Sequence, residues 1–197
     1  MPTAANANLH SVDWSKIPPP ADDGGARHLE GLRIPDLPLP ATDGRSVSLA
    51  RLSGRAVVYA YPRTGRPDQI ALVDDWDMIP GARGCTPQSC AFRDHHGELI
   101  AAGAAHVFGL STQDIAYQQE AVARLHLPFA ILSDEKLALT KALRLPTMDV
   151  AGLTLMKRMA LVIDDGRITK VFYPVFPPDR NAADVLAWLK ANPRSRP

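Results

Sequence analysis

The chain has 197 residues, 46% of them hydrophobic and 22% charged, which suits one globular domain with a sizeable core. A formal net charge of +1 gives no electrostatic case for nucleic acid or an anionic membrane surface as partner. No apolar run approaches the ~18 residues of a membrane span, and residues 1–20 lack the basic start and apolar centre of a secretory signal, so the expected setting is the cytoplasm.

Residues 1–30 are rich in Pro, Ala, Asn and Asp and read as an extended N-terminal arm with little regular structure. A hairpin follows, with strands at 37–39 and 47–49 around Asp43-Gly44, a strong turn dipeptide. The apolar run 56–61, closed by Pro62, has the form of a buried central strand. Residues 65–82 are a long excursion around the acidic patch Asp74-Asp75-Trp76-Asp77. A loop of that length is either functional, as a lid or interface, or a surface insertion.

A helix is expected over 85–102, its inner face formed by Phe92, His95, His96, Leu99 and Ile100. A strand at 105–110 follows. Ser111 with Asp114 resembles a capping box and opens the next helix. Then come a strand at 129–132 and a helix at 136–145, stopped before Pro146. A hairpin of 159–163 and 168–175 turns through Asp165-Gly166, and a last helix spans 181–191. Strands alternating with helices and closing on an antiparallel hairpin imply an α/β fold with a mixed central sheet covered on both faces. No glycine-rich nucleotide loop is present in the sequence.

The chemistry-bearing feature is the pair Cys85 and Cys90, the chain's two cysteines. Cys85 follows Gly84 at the expected start of a helix, where the macrodipole favours a thiolate, the reactive form of cysteine. Arg83 and Arg93 lie close in sequence and stand to add to that field. Buried structural thiols are the alternative, although in a reducing compartment a cysteine pair more often serves catalysis or metal binding. Cys85, Cys90, His95 and His96 make four possible zinc ligands, but a single helix cannot wrap them tetrahedrally around one ion. The spacing also departs from the Cys-x-x-Cys of dithiol reductases. Positions five apart on an intact helix lie roughly 8–9 Å apart at Cα, and a disulfide needs less than about 7 Å. The two sulfurs therefore either never bond, or bond only after the first turn unwinds.

Gly84-Cys85-Thr86, then Cys90, then Phe92-Arg93-Asp94 resemble the peroxiredoxins, most closely the bacterioferritin comigratory protein branch. The similarity extends over residues 31–190 or so. It includes Ile34-Pro35-Asp36-Leu37-Pro38-Leu39-Pro40, Val47-Ser48-Leu49, Leu52-Ser53-Gly54 and the strand Val57-Val58-Tyr59-Ala60-Tyr61-Pro62. The resemblance implies a thioredoxin-like fold spanning 31–192, with the arm at 1–30 and an inserted loop at 65–82. It implies a thiol peroxidase in which Cys85 is the peroxidatic cysteine and Cys90 the resolving one, and in which Arg158 faces the thiolate. Peroxide is then the substrate, thioredoxin or a glutaredoxin the reductant, and no metal or other cofactor is required. The chain is expected to work as a monomer or homodimer.

One departure stands out. The family places a hydroxyl three residues before the peroxidatic cysteine, and this chain has Ala82 there. The expectation is that Thr64, in Pro62-Arg63-Thr64, supplies the hydroxyl, and that Pro62 shields the site. The alternative reading of the whole chain is a redox-sensing or partner-binding thioredoxin-like module with weak turnover, docking through the Trp76 loop.

Overall fold

The computed structural model describes residues 12–194. A single 3₁₀ turn at Trp14–Lys16 opens it. Then follow β1 (Pro38–Pro40), β2 (Ser46–Ser48), β3 (Arg55–Ala60), α1 (Cys85–Asp94), α2 (His96–Ala101), β4 (His106–Ser111), α3 (Ile115–Leu125) and β5 (Ile131–Ser133). The chain closes with α4 (Ala138–Leu143), β6 (Thr147–Val150), β7 (Leu153–Met156), β8 (Met159–Asp164), β9 (Arg167–Phe172) and α5 (Asn181–Ala191).

The central sheet has the order β5-β4-β3-β8-β9. β3, β4 and β5 run parallel, and β8 and β9 run antiparallel to their neighbours. β3 is buried along its whole length, because both its faces are covered. Ala56, Val58 and Ala60 face a core shared with Leu39, Leu49, Leu139 and Leu143. Val57, Tyr59 and Tyr61 face a second core with Phe92, Leu99, Val185 and Leu189. The Tyr59 ring stacks on Phe92 at 4.4 Å between centroids, and its hydroxyl donates to Ser89 Oγ at 3.1 Å. These contacts fix α1 against the strand.

The structure departs from the expected elements in four places. The long helix is broken at His95, whose backbone leaves the helical region (φ −91°, ψ 3°) and ends α1 before α2 begins. Ile100 is exposed, while Phe92 and Leu99 lie in the core. Asp114, not Ser111, caps α3, accepting from the Tyr117 N–H at 2.8 Å; Ser111 ends β4. α4 starts at Ala138, because Asp134 accepts from the N–H groups of Leu139 and Thr140 and sets the entry there. The hairpin of β6 and β7 is an addition to the expected elements, turning through Ala151 and Gly152, both at positive φ. Residues 65–82 carry only one 3₁₀ turn, Trp76–Met78. Among the described residues no helix is long and apolar enough to cross a membrane.

Candidate active site

Cys85 is the first residue of α1, and Gly84 is its N-cap. Gly84 adopts φ +106°, a left-handed conformation that side chains disfavour. A Cβ there would lie 2.5 Å from Pro178 Cγ and 2.7 Å from Trp14 Cη2, so glycine is demanded by space as well as by φ. The cap has no side chain to satisfy the first-turn N–H groups, and Pro87 lacks one. The N–H groups of Cys85 and Thr86 are left as donors at the positive end of the helix.

Pairing between β3 and β8 sets Ala60 opposite Met159. The residue before Met159 is Arg158, which therefore lies at the end of β3 where the chain departs toward Cys85. Arg158 is 2% exposed. Its Nη2 sits 3.2 Å from Cys85 Sγ and 3.0–3.2 Å from the carbonyl oxygens of Gly81, Ala82 and Arg83. Its Nη1 donates to Gln88 Oε1 at 2.6 Å, and Gln88 Nε2 donates to Asn181 Oδ1 at 2.9 Å. No carboxylate pairs with Arg158 among the described residues. A buried cation without a counterion is costly, and the group placed to supply a negative charge is the Cys85 sulfur.

Cys90 lies one and a half turns further along α1, and both cysteines are buried and free. Burial pushes the Cys90 thiol above the ordinary thiol range, against the field of Arg93. Arg93 belongs to this end of the helix, bonded to Asp94 and to the Leu125 carbonyl and acting on Cys90. Arg83 lines the Cys85 cavity but is paired with Asp77.

Thr64 is not brought to the sulfur. It is fully buried, and its backbone N–H and its hydroxyl both donate to Gln113 Oε1, at 3.0 and 3.1 Å. Gln113 tethers Thr64 to the loop after β4, and among the described residues no hydroxyl is hydrogen-bonded to Cys85. The contact taken by Cys85 in that direction is the Ala82 carbonyl, 3.6 Å away. Pro62 is buried beside Arg63, which does line the cavity. His95 pairs with Glu98 and His96 rests against Phe129. Among the described residues no cluster of three or more His, Cys, Asp or Glu is placed to hold a metal.

Cys85 opens into a cavity of ≈ 630 Å³ with three main walls, completed by Arg63 and by Arg124 of α3. The helix start gives Gly84, Cys85 and Pro87. The excursion gives Arg66, Ala71 and Trp76. The arm gives Val12, Lys16 and Ile17. Sequence reasoning missed Gln88, Asn181 and Trp14. Gln88 falls three residues after Cys85 on the same helix, a spacing that signals a shared face, but Asn181 and Trp14 arrive from distant chain with no local signature.

The Redoxin family matches residues 29–186. Peroxiredoxin Q, chloroplastic, from Oryza sativa subsp. japonica is 34% identical over 164 residues, covering 82% of this chain and 67% of the relative. Among solved structures, peroxidoxin BcpB from Mycobacterium tuberculosis superposes with a TM-score of 0.67 at 25% identity, covering 84% of this chain and 98% of that one. Peroxiredoxin Q from Xanthomonas campestris gives 0.65 at 25% identity, covering 82% and 96%. The mixed sheet flanked by helices is the thioredoxin-like fold these structures share.

Proposed function

The chain belongs to the redoxin family, in the peroxiredoxin branch of peroxiredoxin Q and bacterioferritin comigratory protein, and is a thiol peroxidase; from that premise we propose that Cys85 is its peroxidatic cysteine. The observation that carries this assignment is the buried Arg158 guanidinium, 3.2 Å from Cys85 Sγ and without a carboxylate partner among the described residues. Peroxide enters the three-walled cavity. The Cys85 thiolate attacks the terminal oxygen, forming an S–O bond as the O–O bond breaks. The displaced oxygen leaves with the electron pair, takes up a proton and departs as water or an alcohol. Arg158 and the N–H groups of Cys85 and Thr86 are preorganised donors for the charge that builds on these oxygens. Thr64 is left out of this donor set, since its hydroxyl is committed to Gln113.

Cys90 then resolves the sulfenic acid. Its sulfur attacks Cys85 Sγ, an S–S bond forms, and hydroxide leaves with a proton as water. Both residues lie within one helix, so α1 must unwind at its start first. A dithiol protein of the thioredoxin type is the proposed reductant, restoring two thiols by exchange. Hydrogen peroxide and small organic hydroperoxides are the proposed substrates. The relatives' plastid names leave the compartment to be proposed as well, and we place the chain in the reducing cytoplasm. The domain boundaries proposed are 1–30 for the arm and 31–192 for the catalytic fold.

The deciding experiment mixes reduced protein with one equivalent of hydrogen peroxide and counts free thiols. Loss of two thiols per chain within seconds supports the peroxidase cycle. A rate no greater than that of a free thiol in solution overturns it and favours a binding or sensing module.

A further inference from the structure

The region matched by the family begins at residue 29, yet the arm before it reaches the active site. Asp13 caps the 3₁₀ turn at Trp14–Lys16 by accepting from the Ser15 N–H. The turn presents the Trp14 indole edgewise to Phe176, at 6.0 Å and 77°. The indole Nε1–H donates to Asp179 Oδ2 at 2.8 Å. Beyond this bond the ring edge lies directly over Gly84, close enough that a Cβ there would be 2.7 Å from Cη2. Pro178, in the same 3₁₀ turn as Asp179, presses on Gly84 from beside it. The residue after this turn, Asn181, is bonded to Gln88 in α1. Arm, Pro178–Arg180 turn and helix start are thus fastened to one another at the residue that must move if α1 is to unwind.

Resting on the peroxidase reading above, we propose that Trp14 is a positioning residue for the resolving step. It clasps the start of α1 in its folded form and so sets how long the Cys85 sulfenic acid persists before Cys90 reaches it. The contacts on Gly84 exist only while the first turn is intact. They stabilise the folded helix start and add nothing to the unwound one, so they lower the population from which the disulfide forms. A longer-lived sulfenic acid meets a second peroxide more often, and its sulfur is then oxidised by two further electrons to sulfinic acid as that peroxide's O–O bond breaks.

The test is rapid-quench mass analysis of Cys85 and Cys90 after mixing with peroxide, in wild type and in Trp14→Ala. The first, second-order step reports sulfenic acid formation, and the second, first-order step reports disulfide formation. Trp14→Ala is expected to speed the second step about tenfold, the order of effect of losing the contacts of a half-buried aromatic ring, and to raise the peroxide concentration needed for overoxidation. Trp14→Phe keeps a ring on Gly84 without the Nε1–H donor and is expected to fall between the two, which covers the case of an alanine variant that does not fold. A normal first step with an unchanged or slower second step in both variants overturns the clasp and leaves the peroxidase intact. A wild type without a peroxide-dependent first step overturns the peroxidase reading itself.

Discussion

Cys85 and Cys90 sit five residues apart on one helix, both buried, and face opposite surroundings. At Cys85 the helix start, a left-handed glycine and the guanidinium of the residue before β8 converge on the sulfur. At Cys90 the charges of Arg93, Asp94 and Arg124 lie nearby, Arg93 is bonded to Asp94 and the Leu125 carbonyl, and burial outweighs the cations and pushes the thiol up. The difference teaches that the helix supplies only the positions. What lies across from each position decides its chemistry: the residue before β8 sets a buried guanidinium against one sulfur, while burial among a mixed set of charges disfavours ionisation of the other. In the proposed cycle, a thiol whose ionisation is opposed by burial becomes the better nucleophile once unwinding brings it to water, and this would order the two steps in time.

The sharpest break of this comparison is Cys85→Ser, which is expected to abolish peroxide reduction in a coupled assay. Cys90→Ser is expected to consume about one equivalent and then stall with thioredoxin as reductant; sustained turnover would remove Cys90 from the resolving role. Arg158→Met is expected to lower the second-order rate with hydrogen peroxide about 10²–10³-fold, the usual cost of one preorganised donor. It also orphans the carbonyls of residues 81–83, so the melting transition is to be recorded alongside the rate.

A milder test is alkylation of Cys90 by iodoacetamide in the Cys85→Ser background. At pH 8 the folded protein is expected to react several-fold more slowly than the unfolded chain, because its thiol ionises at higher pH. By linkage, the stability this thiol contributes is present in full below the unfolded pKa and is lost as pH rises through the folded one. The smallest effect is expected for Thr64→Val. Peroxide reactivity should change less than about twofold, while stability drops by about 1 kcal/mol for the lost Gln113 bond.

What the sequence made legible was local or periodic. The run that became β3, the terminal helix and the position of Cys85 at a helix start all follow from patterning within a dozen residues. Asp165-Gly166 marked its turn because both residues take positive φ, as a tight hairpin requires. The β6–β7 hairpin escaped because its turn is Ala151-Gly152, and alanine at φ +51° carries no turn signal. The role given to Thr64 failed for a different reason. Its nearness in sequence to Pro62 said nothing of Gln113, 49 residues on, which claims the hydroxyl. Trp14 and Asp179 are 165 residues apart, and no pattern in either segment announces the other.

The most direct test of the central claim is dimedone trapping followed by peptide mapping. Treated with one equivalent of peroxide, Cys90→Ser is predicted to carry a single dimedone adduct on Cys85, and wild type is predicted to yield a Cys85–Cys90 disulfide with no adduct. An adduct on Cys90 in Cys85→Ser, or a wild type that retains both free thiols after peroxide, would contradict the account.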